Sequence, residues 1–253
     1  MARLTVADDE VELASRAADR ISHLIADAVD AHGSAIVSLT GGTTPRLLYS
    51  ALADSRQPWR GHIPWSQLQL FWGDERHVPP DDSRSNYRTA KITLLDHVPV
   101  PADHVHRIRG ELPDAHQAAA DYERILTDVE SGLGRIPLFD LMLLGVGEDA
   151  HIASLFPGSE LLTPHTQPGA GQPPRRVAAT WAPHLATWRI TLTPETILDS
   201  RAIVVLVAGA GKADAVRAAL REPLDVQKYP AQLLRSAEDR VEWFVDRAAA
   251  AGL

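Results

Sequence analysis

Residues Phe139–Gly158, FDLMLLGVGEDAHIASLFPG, constrain the fold more than any other stretch of this chain. The apolar run Leu138–Leu144 reads as a strand buried on both faces, the pattern of a parallel sheet. It stops at Gly145 and Gly147, and two acids, Glu148 and Asp149, lead into His151. A titratable imidazole therefore follows the carboxyl end of a strand, where ligands bind in open α/β sheets. Two other strand ends carry polar clusters of the same kind, SLTGGTTPR at 38–46 and FWGDERHVPP at 71–80. Together the three segments point to a phosphosugar site that contains a histidine.

The rest of the chain alternates strands and helices. Leu13, Ala17, Ile21, Leu24, Ile25 and Ala28 lie at helical spacing and predict a helix over Glu10–His32, ended by Gly33. Strands are expected at Ala35–Leu39, Leu68–Trp72, Leu138–Leu144, Arg189–Leu192, Ala202–Ala208 and Val241–Val245. Helices are expected at Thr44–Leu52, Asn86–Leu95, Asp114–Ser131, Pro194–Asp199 and Lys212–Leu220, with a helical turn at Pro230–Leu234. Pro99–Val105 reads as extended chain. This alternation implies an α/β fold, a mostly parallel twisted sheet with helices on both faces, in three Rossmann-like layers forming one domain over 1–253. The Pro/Gly-rich stretch HTQPGAGQPPRR, 165–176, reads as a loop between elements of one sheet.

With 253 residues, 45% of them hydrophobic, the chain can bury a sizeable core. A net charge of −8 argues against a nucleic-acid surface, which needs clustered Lys and Arg. It leaves room for a small anion held by a few cations. The absence of cysteine excludes disulfides, a thiol nucleophile and a thiolate metal site. No apolar run is long enough to span a bilayer, and MARLTVADDEVEL lacks the apolar core of a signal peptide. A cytoplasmic protein with no membrane partner is expected.

Each polar segment has its chemistry and its bland alternative. In SLTGGTTPR, Gly41 and Gly42 permit close backbone approach, Thr43 and Thr44 offer hydroxyls, and a helix N-terminus follows, as in a phosphate cradle. The alternative is a plain strand–turn–helix junction with Thr44 as N-cap. In the second segment Asp74, Glu75 and Arg76 follow a strand end and a glycine, and arginine suits phosphate or carboxylate. A surface ion-pair cluster is the alternative there, and Asn86 and Arg88 add polar groups without a locally required role. GVGEDA fits a relaxed dinucleotide fingerprint, but Pro157 and Gly158 stop any helix and no ribose-binding acid lies about 20 residues on. GAGKADAVRAAL, 209–220, fails the P-loop pattern, yet Lys212 can serve as a point charge beside a helix N-terminus. There is no G-x-S-x-G elbow and no H-E-x-x-H, and a metal role for HVH at 104–106 is not supported.

Taken in order, TGGTTP, FWGDERHVPPDDSRSNY, GVGEDAHIASLFPG, RITLT and GAGKADAV resemble the bacterial 6-phosphogluconolactonases, over about Leu13–Phe244. These belong to a wider group of phosphosugar-handling α/β proteins that includes glucosamine-6-phosphate deaminases and ribose-5-phosphate isomerases. The resemblance implies hydrolysis of 6-phospho-D-glucono-1,5-lactone to 6-phosphogluconate in the oxidative pentose phosphate pathway, without metal or organic cofactor. It implies that His151 is the general base, with Asp74 also placed among the catalytic residues. It further implies that Arg76, Arg189 and Lys212 serve the anionic substrate and that Gly41, Gly42, Thr43 and Thr44 cradle phosphate. The sequence departs from the family's D-G-H-T at Ala150 and Ile152. Alanine in place of glycine implies an ordinary negative φ or close packing at that position. A monomer is expected, with a weak dimer as the alternative.

Two other functions compete. An isomerase or deaminase of sugar phosphates would use the same cradle, but ASLFPG stands where those enzymes carry an asparagine-bearing loop. A sugar-phosphate sensor usually adds a DNA-binding helix-turn-helix, for which this chain shows no N-terminal segment.

Overall fold

In the computed structural model, residues 3–134, 139–163 and 175–253 are described. The elements are, in order, β1 (Arg3–Ala7), α1 (Glu10–His32), β2 (Ala35–Leu39), α2 (Thr43–Ala53), α3 (Pro58–His62), β3 (Leu68–Trp72) and β4 (Asp74–Arg76). Then come α4 (Asn86–Thr93), α5 (Ala115–Leu133), β5 (Leu141–Gly145), β6 (Val177–Ala182), β7 (Thr187–Leu192) and α6 (Pro194–Leu198). The chain closes with β8 (Ala202–Val207), α7 (Ala213–Leu220) and β9 (Val241–Asp246), β9 following a 3-10 segment over Pro230–Arg240.

The main sheet has six strands in the order β1-β9-β8-β5-β2-β3, with every pairing parallel. All five residues of β2 are buried, which requires cover on both faces of the sheet. One buried cluster runs from Leu13 and Ile21 of α1 through β2, β5 and β8 to Trp243 and Val245. The chain moves from β2 outward to β3, then returns to place β5 on the other side of β2. That reversal opens a crevice at the carboxyl ends of β2 and β5.

A second, antiparallel sheet has the order β4-β7-β6. This corrects the expectation that the elements flanking the Pro/Gly-rich stretch share one sheet. β5 lies in the main sheet, whereas Arg189–Leu192 belongs to β7 of the small one. Of that stretch only Arg175 and Arg176 fall within the described residues, and Leu138, the expected start of the β5 strand, lies outside them. Gly73 joins the two sheets. Its N–H donates to the Leu39 carbonyl at 2.9 Å in the main sheet, and its carbonyl accepts from the Leu192 N–H at 2.9 Å in the small one.

Local chemistry sets the element ends. The Asp9 carboxylate caps α1 by accepting from the N–H groups of Val11 and Glu12, and Gly33 ends it at φ +77°. Asp114 caps α5 in the same way, so the helix starts one residue later than expected. Pro99–Val105 is only partly extended, because Ala102–His104 forms a 3-10 turn before Val105 bridges to Leu70.

Two tyrosines hold strand ends beside the crevice. The Tyr49 hydroxyl accepts from the Thr40 N–H at 2.9 Å and donates to the Thr40 carbonyl at 2.6 Å. The Tyr122 hydroxyl does the same for Trp72, at 2.7 and 3.0 Å. Tyr122→Phe leaves a buried N–H and a buried carbonyl without these partners. It is expected to destabilise the fold by about 1–3 kcal/mol, read as a lower urea midpoint at unchanged m-value.

Candidate active site

A cavity of about 250 Å³ opens at the crevice between the two sheets. Its main-sheet wall comes from loops that leave three neighbouring strands: Thr40, Gly41 and Gly42 after β2, Gly147 and His151 after β5, and Lys212 after β8. Its small-sheet wall comes from Asp74 and Arg76 of β4 and Arg189 of β7. Asn86, Ser154, Phe156 and Leu185 are also part of the lining. Seven expected residues thus meet in one place: Gly41, Gly42, Asp74, Arg76, His151, Arg189 and Lys212. Thr43 and Thr44 do not line it. Thr43 is exposed in the first turn of α2, and the Thr44 side chain is buried. The cap of α2 is Gly42 at φ +113° rather than Thr44, and no side chain caps this helix, so its first N–H groups stay open to an anion.

His151 is held by a tight turn. The Gly147 N–H donates to the His151 carbonyl at 2.9 Å, and the Ala150 N–H to the Gly147 carbonyl at 3.0 Å. His151 Nδ1 lies 2.5 Å from Asp149 Oδ1, which also accepts from the His151 N–H at 3.2 Å. Burial alone would raise the Asp149 carboxyl, but the His151 hydrogen bond and charge outweigh it and hold it down at about 2. An ionised carboxylate only accepts, so Nδ1 carries a hydrogen, and the neutral imidazole has its lone pair on Nε2. Sequence reasoning noted Asp149 beside the histidine but gave it no role; the D-x-H spacing was the available signal. A Cβ on Gly147 would overlap the imidazole, so this glycine is required by the ring's position.

Ala150 stands at φ +63° and is buried, and Ala153 stands at φ +48°. Of the two alternatives expected at Ala150, the negative φ is not found and the close packing is. The turn imposes the left-handed conformation on whatever residue occupies it, and alanine adopts it at a cost that glycine would not bear. Ile152 is fully buried and bridges Leu155, so apolar packing takes the place of a hydroxyl.

The small-sheet wall is cationic. Arg76 and Arg189 are register partners across β4 and β7, a like-charge pair that is unfavourable unless an anion joins it. Burial, and next the charge of Arg76, push the Arg189 guanidinium below its ordinary value. Arg76 donates Nη1 to the Arg84 carbonyl at 2.5 Å, while its Nε is buried without a hydrogen-bond partner. Two adjacent guanidiniums suit a phosphate or carboxylate. Asp74 is buried beside them. Its Oδ1 accepts from Asn86 Nδ2 at 3.0 Å and its Oδ2 from Ser154 Oγ at 2.6 Å. Asn86 Nδ2 also reaches the Asp74 carbonyl at 2.9 Å, and a Cβ on Gly41 would overlap the Asn86 carboxamide. Asn86 and Ser154 are site residues that sequence reasoning left without a role. Among the described residues no group of three or more His, Asp or Glu side chains could hold a metal ion, and no helix is long and apolar enough to cross a membrane.

Residues 8–243 match the family model described as glucosamine-6-phosphate isomerases/6-phosphogluconolactonase. A 6-phosphogluconolactonase of Synechocystis is 35% identical over 249 residues, covering 95% of this chain and 94% of the relative. One of Mycobacterium tuberculosis is 38% identical over 247 residues, with 95% and 94% covered. The solved structure of a 6-phosphogluconolactonase from Trypanosoma brucei superposes with a TM-score of 0.82 at 28% identity, covering 100% of this chain and 99% of that one.

Ala150→Gly relieves the left-handed alanine and is expected to stabilise the fold by about 0.5–1 kcal/mol after the extra unfolded-state freedom of glycine is subtracted, read as a higher melting temperature. Gly147→Ala displaces the imidazole and is expected to lower turnover at least about a hundredfold in a protein whose circular dichroism is unchanged.

Proposed function

The chain belongs to the family of glucosamine-6-phosphate isomerases and 6-phosphogluconolactonases, and from that premise we propose that it hydrolyses 6-phospho-D-glucono-1,5-lactone to 6-phosphogluconate. One observation carries the reading: a histidine locked on a carboxylate through Nδ1 shares a small cavity with three cations. Its lactonase relatives, similar along nearly the whole chain, support the same reaction.

In this reading the phosphate sits against Lys212 and the open N–H groups at the start of α2, where the helix dipole favours an anion. Backbone N–H groups of Thr43 and Thr44 serve there, rather than the Thr44 hydroxyl. Fixing the far end of the substrate orients C1 toward His151. His151 Nε2 takes a proton from water as the water oxygen bonds to C1. The oxyanion that forms at C1 is stabilised by the positive field of Arg76 and Arg189. The C1–ring oxygen bond then breaks and the ring oxygen receives the proton from His151. The new carboxylic acid ionises, and Asp149 keeps the imidazole in the required tautomer throughout. Asp74 acts here as a positioning residue, since both its carboxylate oxygens are engaged by Asn86 and Ser154. No metal or organic cofactor enters this scheme.

The test follows acid release from freshly generated lactone at mildly acidic pH, against the spontaneous rate. Wild-type protein is expected to accelerate it strongly. His151→Ala is expected to lower kcat about 10²–10⁴-fold while 6-phosphogluconate still binds. No acceleration by folded wild-type protein would overturn the function, and a near-wild-type rate in His151→Ala would overturn the role of the histidine.

A further inference from the structure

Glu75 lies between two cavity residues on β4, and its side chain turns the other way, with 2% of the residue exposed. Its carboxylate accepts four hydrogen bonds, all from neutral donors. Oε1 takes the Arg76 N–H at 2.7 Å and the Asn86 N–H at 2.8 Å. Oε2 takes the Tyr87 N–H at 2.8 Å and Ser85 Oγ at 2.9 Å. Four donors fill the acceptor capacity of a carboxylate. Burial pushes the Glu75 carboxyl above its ordinary value despite these bonds. A charge kept in such a place is costly unless its hydrogen bonds fix something that matters.

What they fix is the site. Asn86 and Tyr87 open α4, and the N-cap Ser85 accepts from the Arg88 N–H at 3.1 Å, so Glu75 and Ser85 together satisfy the first turn. Asn86 is thereby held with its carboxamide on Asp74 and against Gly41. The Arg76 N–H on the same oxygen fixes the backbone from which the guanidinium reaches the cavity. His151 depends on none of these bonds, because its own loop and Asp149 hold it.

We infer that Glu75 is a positioning residue for substrate binding: its buried carboxylate clamps Arg76 and Asn86 to the cavity, and so governs affinity for the anionic sugar while leaving the water-activating step to His151. The inference rests on the lactonase reading for its kinetic test, and on the cavity alone for its binding test.

Glu75→Gln keeps the length of the side chain but turns an N–H₂ toward a donor N–H. It is expected to raise KM for the lactone, and Kd for 6-phosphogluconate by calorimetry, at least about tenfold, the effect of one displaced charge-assisted hydrogen bond, with kcat changed less than about threefold. Asp140→Asn removes a buried carboxylate that accepts from the Ile36 N–H at 2.8 Å at the opposite end of β2, and is expected to leave KM and Kd unchanged. A folded Glu75→Gln protein with KM and Kd within about twofold of wild type, or a loss confined to kcat, would overturn the inference, as would an equal rise in KM in Asp140→Asn. If Glu75→Gln does not fold, Ser85→Ala, which removes one of the four donors, decides: KM and Kd raised about threefold support the clamp, and unchanged values overturn it. Absence of lactone turnover in wild type would sink the lactonase reading while the Kd comparison still tests the clamp.

Discussion

The site depends on how two neighbouring strands are allowed to stop. A buried strand that ends inside the protein exposes backbone N–H and carbonyl groups that must find partners or cost stability. At Thr40 and Trp72 a buried tyrosine hydroxyl satisfies both groups at once, one from α2 and one from α5. Because those residues are tied down, the next ones are free to turn. Gly41 turns into a helix whose first N–H groups face a cavity, and Gly73 turns the chain from one sheet into the other. Most of the cavity lining is placed by these two departures and by the parallel exit of β5 at Gly145, with Lys212 added after β8 and Arg189 from β7.

Charge is then sorted by strand alternation. Along β4, Asp74 and Arg76 face the cavity while Glu75 faces α4, so neighbouring residues do opposite work. The two carboxylates accept hydrogen bonds that hold other groups, and the arginine, set opposite Arg189, is left in want of an anion. A chain with a net charge of −8 in this way keeps a locally positive cleft. Asp74, Glu75 and Asp149 are committed to hydrogen bonds, whereas Arg76 and Arg189 are held beside one another.

Much of this was legible in the residues. Ala35–Leu39 and Leu68–Trp72 have the observed bounds, because short apolar runs between turn residues leave little choice. The three glycine-rich strand ends gather where a parallel sheet places its ligands. What escaped was the small sheet. DER in β4 has no apolar residue and VAATWA in β6 is weakly patterned, so neither carries a strong periodic signal; the main-sheet edge strand RLTVA, β1, also escaped, its alternating Leu4 and Val6 being exposed. The left-handed Ala150 also escaped, since a turn closed by the Gly147–His151 hydrogen bonds overrides the preference of the residue within it. Asn86 and Ser154 owe their places to Asp74, 12 and 80 residues away in sequence, a relation no local pattern reports.

The cavity is a seam. Its base stands on one sheet, and its arginine pair stands on another, which the chain enters at Gly73 and from β5 and leaves from β7. The width of the gap is accordingly a separate quantity from the chemistry of either wall. The phosphate cradle and the histidine share the main-sheet wall, so the span between a bound phosphate and the base is set within one sheet, whereas the seam sets how closely the arginine pair approaches the reacting carbon.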